Sequence, residues 1–154
     1  MPTLAGFIAF AQNVMGISSG VLDPSSPYYG YALAAALAFV NPALASVCAP
    51  TVPGVTSWTI YELATYNLAG DRLINYAQDT PPSTYFATQR ANFKINAFAP
   101  GVVAASSDEG SSTTLNVLDA MKGLTIGQLQ NLKTPYGQEY LAIAQSVGSL
   151  WGIS

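Results

Sequence analysis

The sequence predicts a mainly α fold: a helical bundle of about four to five helices with a projecting β-hairpin or loop and an extended C-terminal tail. Three observations carry that expectation. Apolar residues recur at spacings of three and four over long stretches. Capping patterns open several of those stretches, in the form of a Thr followed three residues later by Glu or Gln, or a Thr followed at once by Pro. Clusters of Pro, Gly and Ser separate them.

The first stripe is Leu4, Phe7, Ile8, Phe10, Ala11 and Val14. Thr3 is placed to cap its start and Gly16 to stop it. Residues 18–27, SSGVLDPSSP, read as a loop. A second helix is expected after Pro27, through Tyr31, Leu33, Ala34, Leu37 and Ala38 towards Val40. Pro42 lacks an amide hydrogen and disfavours helix at Asn41, so a bend or a short second helix follows. Residues 50–56, PTVPGVT, break the chain again.

The strongest helix comes next. Thr59 and Glu62 fit a capping box, with Ser57 as the competing cap. Leu63, Ala64, Tyr66, Leu68, Ala69, Leu73, Ile74 and Ala77 then wrap nearly all round it, which predicts a central helix. Gly70 inside it is a place for a neighbouring helix to come close. Residues 79–84, DTPPST, stop it. Residues 85–97 read equally as helix or loop. In FAPGVVAASSDEGSSTTLNV, Val102-Val103 and Thr113–Val117 have β character, and the Ser106–Ser111 segment between them is polar. That pattern predicts a hairpin projecting from a helical body. Helix returns over Val117–Lys122, then after Thr125, then from Thr134-Pro135 to about Gly148. The end, SLWGIS, sets three large apolar residues on a terminal tail.

At 154 residues the chain fits a single domain. Its parts are a helical body over 3–78 and 117–148, a hairpin or loop over 95–116, and a tail over 149–154. Charged residues make up 8% of the chain, where about a quarter is ordinary, while half of it is apolar. A free protein of this size needs charge to keep its surface wet and its copies apart. Lipid or other protein is therefore expected to cover much of this one.

The net charge is −3, and the five cations (Arg72, Arg90, Lys94, Lys122, Lys133) are scattered along the sequence. A dedicated nucleic-acid reader would carry a basic stripe. A neutral or acidic wall lets DNA slide past, because phosphates do not stick to it. The run from Tyr28 to Pro50 has no charge, but Asn41-Pro42 interrupts it, Ala dominates it, and no Lys or Arg flanks it. It reads as a buried, broken helix, with a membrane hairpin or span over 28–49 as the rival. No basic residue precedes the first apolar residues, so no secretory signal is expected.

The inventory for chemistry is thin. There is no histidine and one cysteine, Cys48, in an apolar stretch. No disulfide within the chain, no zinc set and no cofactor fingerprint can be assembled, and no enzyme activity, cofactor or metal is expected. A hydrolase built on Ser, Asp or Glu lacks a base to partner its nucleophile. Asp108-Glu109 is the only adjacent carboxylate pair and reads as solvated loop charge. Asn67, Asp71, Arg72 and Asn75 lie close along the central helix. The positions four apart share a face, which predicts a polar seam: a buried network, a subunit contact or plain surface. The nine tyrosines are expected mainly at protein interfaces, since one end is apolar and the other hydrogen-bonds.

The order of parts completes the reading. LAGFIAFAQNVMGI, a second helix over Tyr28–Val47 near a Pro, WTIYELATYNLAGDRLI, GVVAASSDEGSSTTLNV and LKTPYGQEYLAIAQSVG follow one another. Their succession resembles the small head–tail connector (adaptor) proteins of tailed bacteriophages. The piece most typical of that family is TPYGQEYLAIAQ, Thr134 to Gln145. The resemblance implies a structural virion protein at the head–tail junction, made in the host cytoplasm. Its copies would form a homo-oligomeric ring, as a rule a dodecamer, beneath the portal protein. The ring would extend the DNA channel, allow transient non-specific passage of the genome, and dock tail or nozzle proteins, with no membrane involved.

Loop and terminal segments of such adaptors commonly insert between neighbouring portal subunits, and a polar hairpin and an apolar tail are suitable arms. The resemblance thus places subunit contacts in Ala99–Leu115, at Val102, Val103, Ser107, Asp108, Glu109, Thr113 and Leu115. The apolar composition of the tail places portal docking over Gly148–Ser154, at Leu150, Trp151 and Ile153, with Trp151 as anchor. Another tail, neck or capsid-decoration subunit is the remaining rival, and those are commonly β-rich.

Overall fold

In the computed structural model, the residues described are 1–45, 58–96, 106–108, 111–113 and 133–147. They are mainly helical, with five α-helices among them: α1 (Leu4–Asn13), α2 (Pro27–Phe39), α3 (Ile60–Tyr76), α4 (Tyr85–Asn92) and α5 (Pro135–Val147).

Helix α3 is the axis of the fold. Thr59 Oγ1 accepts from the Glu62 amide at 3.1 Å, and Glu62 Oε2 accepts from the Thr59 amide at 3.0 Å, so the capping box closes in both directions. Eleven of its 17 residues are buried, which is why its sequence is apolar on nearly every side. Its polar side chains stay compatible with burial by bonding back to the preceding turn. Thr65 Oγ1 donates to the Tyr61 carbonyl and Asn67 Nδ2 to the Leu63 carbonyl. Helices α2 and α5 make the most extensive packing against it, with α1 and α4 adding smaller contacts.

Thr3 caps α1 by accepting from the Gly6 amide, and the chain turns at Gly16 with φ of 70°. Ser26 caps α2, Pro27 occupies its first turn, and Val40 ends it. A short 3-10 turn, Pro42–Ala45, follows Asn41, so the predicted bend at Asn41-Pro42 is present. Gly70 does allow a close approach, but not of a helix backbone. The sulfur of Met15 and the ring of Phe10 lie against it, at 3.1 and 3.6 Å from where a Cβ would sit.

The core is aromatic. Phe10 lies 5.6 Å from Trp58, 6.0 Å from Tyr66 and 6.4 Å from Tyr136, measured between ring centres. Phe7 adds Tyr29 and Tyr66 on its other side. Such tilted and edge-on pairs contribute about 0.5–1.5 kcal/mol each beyond the area they bury. This packing corrects the expectation for the tyrosines. Four of the nine are buried, three are half-buried, and only Tyr31 and Tyr76 stand exposed. Phenol rings fill the centre alongside aliphatic side chains such as Ile17, Leu68, Leu73 and Ile74.

Two three-residue strands, β1 (Ser106–Asp108) and β2 (Ser111–Thr113), pair antiparallel with Asp108 opposite Ser111. The ladder therefore lies in the polar segment that the sequence pattern reserves for a tip. The expected β ends, Val102-Val103 and 114–117, lie outside the described residues. So do the rest of the 95–116 hairpin beyond residue 96 and these strands, the helices expected over 117–132, Cys48, and the tail.

Candidate functional site

Asp71 sits in the middle of α3, facing the start of α5, and its side chain is fully buried. Thr134 Oγ1 donates to Asp71 Oδ1 at 2.6 Å and accepts from the Gly137 amide at 3.0 Å. One hydroxyl thus caps α5 and anchors it to α3. Asn75 Nδ2 donates to the Asp71 carbonyl at 2.8 Å and, weakly, to Asp71 Oδ2 at 3.4 Å. Arg72 Nη1 lies 3.8 Å from Asp71 Oδ2, while its guanidinium stacks 5.5 Å from the centre of the Phe39 ring. Burial pushes the Asp71 carboxyl up from its ordinary value; the Thr134 hydrogen bond and the Arg72 charge pull it back only in part. Asp71 and Thr134 are both closed to solvent. The arrangement suits holding two helices in register, not receiving a substrate.

Of the four residues of the predicted seam, Asp71, Arg72 and Asn75 come together. Asn67 does not join them; it is satisfied within its own helix. Thr134 completes the cluster, and sequence reasoning assigned it a capping role without its carboxylate partner. The Thr134-Pro135 dipeptide was the signal for the cap, but nothing in one sequence pairs residues 63 apart.

A second feature lies on the surface. Helix α2, PYYGYALAAALAF, contains no charged residue. Its inner face buries Tyr29, Ala32, Leu33 and Ala36 against the core. Its outer face is therefore apolar as well: Tyr31 and Phe39 are each 67% exposed, and Leu37 and Ala38 beside them face solvent too. No helix among the described residues is long and apolar enough to cross a membrane.

The other expected contact residues fall as follows. Ser107 and Asp108 lie on β1 and Thr113 on β2, where Ser107 pairs with Ser112 and Thr113 with Ser106. Val102, Val103, Glu109, Leu115, Leu150, Trp151 and Ile153 lie outside the described residues. No group of three or more potential metal ligands forms among those described.

Two polar devices escaped the sequence reading. Asp79 accepts from the amides of Phe86 and Ala87 at 2.8 and 2.7 Å, neutralising the start of α4. Arg90 Nη1 donates to the carbonyls of Ile74 and Ala77 at 2.9 and 2.7 Å, closing the end of α3. The fold and these surfaces together define a mainly α protein with an uncharged, exposed helix face. Comparison with protein-family models, curated proteins and solved structures finds no match to this chain.

Proposed function

We propose that this chain is a structural virion subunit, the head-to-tail adaptor of a tailed bacteriophage. In this reading its copies form a ring beneath the portal, extend the DNA channel and dock tail proteins. The observation that carries the reading is the outer face of α2, where Tyr31, Leu37 and Phe39 stand in solvent without one charge on the helix. A heterologous contact repeated around a closed axis covers such a face on every copy. The low overall charge supports the same conclusion, since a ring member has two lateral and two axial neighbours and little free surface.

Electron microscopy of the protein with its neighbouring virion proteins tests the proposal. A ring at the head–tail vertex is the expected image. Leu37→Glu places a carboxylate on the outer face of α2, and deletion of residues 149–154 removes the proposed docking tail. Each is expected to leave the far-UV spectrum helical and to abolish incorporation into particles. Full incorporation of both variants, or recovery of the protein only from a detergent-extracted membrane fraction, would refute the reading.

A further inference from the structure

Helix α4 ends in a complete Schellman motif. The Ile95 amide donates to the Arg90 carbonyl at 3.0 Å and the Lys94 amide to the Ala91 carbonyl at 3.1 Å. The motif puts Lys94 in the left-handed region, φ 51°, where glycine is the favoured residue. The sequence keeps a lysine at a strained position, and strain of this kind collects at functional sites. Beside it opens a groove of about 510 Å³ lined by Ala87, Arg90, Ala91, Lys94 and Asn96. Ala87 and Ala91, one turn apart, leave room for another backbone. Lys133 reaches the same turn and donates to the Ile95 carbonyl at 3.0 Å. Three of the chain's five cations therefore converge on one end of a short helix, although they are scattered in sequence. Arg90 and Lys94 have no carboxylate within ion-pair distance among the described residues.

The described acids have local work of their own, or lie elsewhere. Asp23 holds Ser25, Glu62 caps α3, Asp71 binds Thr134, Asp79 caps α4, and Glu139 is exposed on α5. The one adjacent carboxylate pair of the chain, Asp108-Glu109, begins at the last rung of the β1–β2 ladder. We infer that the Arg90–Lys94 groove is the receptor for the Asp108-Glu109 carboxylate pair of a neighbouring copy of this chain. The groove is cationic with a small-residue floor, and the pair is acidic and flanked in sequence by Ser107 and Gly110, so the charges match. The inference rests on the adaptor reading only in requiring copies to lie side by side.

Zero-length carbodiimide coupling of an equimolar mixture of light and heavy-nitrogen chains, assembled with the neighbouring virion proteins, tests it. Peptide mass spectrometry should find Lys94 joined to Asp108 or Glu109, with mixed-isotope pairs as frequent as pure ones. Isotopically pure pairs alone would place the contact within one chain and overturn the inference, as would coupling of Lys94 only to other acids.

A charge swap provides the second arm, read by sedimentation. Lys94→Glu alone, and Asp108→Lys with Glu109→Lys alone, should each weaken self-association about tenfold or more, and mixing the two chains should restore it. Failure of the mixture to associate overturns the inference. So does a labelled DNA duplex that wild type retains and Lys94→Glu releases, since phosphate would then be the ligand. A ring seen without the cross-link removes the groove contact and leaves the adaptor reading. The cross-link in chains that never enter a particle does the reverse.

Discussion

Replacing Thr134 by Val tests the buried tie between α3 and α5. Val keeps the shape and deletes one hydroxyl that serves two partners. The bond it donates, 2.6 Å to Asp71 Oδ1, has a carboxylate acceptor inside the fold; bonds to charged groups are worth about 1.5–3 kcal/mol. The bond it accepts, from the Gly137 amide, is a helix N-cap worth about 1 kcal/mol. The sum is a loss of about 3 kcal/mol, or roughly 10 °C in Tm for a chain of this size. Thr134→Ser keeps both bonds and loses one methyl, so its deficit stays near 1 kcal/mol. Urea denaturation followed by far-UV circular dichroism measures both variants. The Val deficit should shrink in acid, because the hydroxyl supports the ionised form of Asp71. Equal stabilities for Val and wild type, or equal damage by Ser and Val, would refute this account of the link.

Asp71→Asn gives the pH dependence its sign. Burial raises the Asp71 carboxyl above its ordinary 3.8, so the folded chain holds that proton more tightly than the unfolded chain. This contribution to stability is full below 3.8 and is lost as pH rises through the raised folded value. Wild type should therefore gain on Asp71→Asn when acidified from neutrality, and parallel stability curves would exclude the effect. Gly6→Ala should lower stability by about 1–3 kcal/mol, because a Cβ there meets the Tyr66 hydroxyl. In a thermal double-mutant cycle, Tyr66→Phe should relieve part of that loss; strict additivity would disprove the clash. Lys94→Gly should raise stability by about 1 kcal/mol by relieving the left-handed lysine, and a drop in Tm would show that no strain is held there.

Much of the helical frame was legible, for a local reason. Thr3, Thr59 with Glu62, and Thr134 with Pro135 cap by bonds that span three residues, and such bonds are written in nearby letters; Ser26, read as loop, caps α2 in the same way. Helix α4 was ambiguous because its start is fixed by Asp79, six residues before Tyr85, and its end by a lysine in the place of a glycine. The described strand pair joins Ser106–Asp108 to Ser111–Thr113, inside the polar stretch, where a ladder rests on backbone pairing and leaves no apolar alternation in the sequence to read. The tyrosines misled for a different reason. Their surface and core roles share one composition, and only packing separates Tyr66, buried beneath Gly6, from Tyr31 in solvent.

The use made of the few charges bears directly on function. Most of the described acids and several of the cations finish local structure. Glu62 and Asp79 serve helix starts, Arg90 serves a helix end, Asp71 a buried link, and Asp23 the turn before α2. Charges engaged in this way do little to hydrate the surface. Helix α2 shows the consequence: thirteen residues without a charge, with aromatic and aliphatic side chains on its outer face as well as its inner one. A freely diffusing chain under selection for solubility would place Lys or Glu at positions such as Tyr31 and Leu37, where helix propensity and packing permit either. Their absence there is easier to explain if that face is covered wherever the protein works. Lys94 differs from the engaged charges: its backbone closes the end of α4 where glycine is favoured, and its side chain stands exposed.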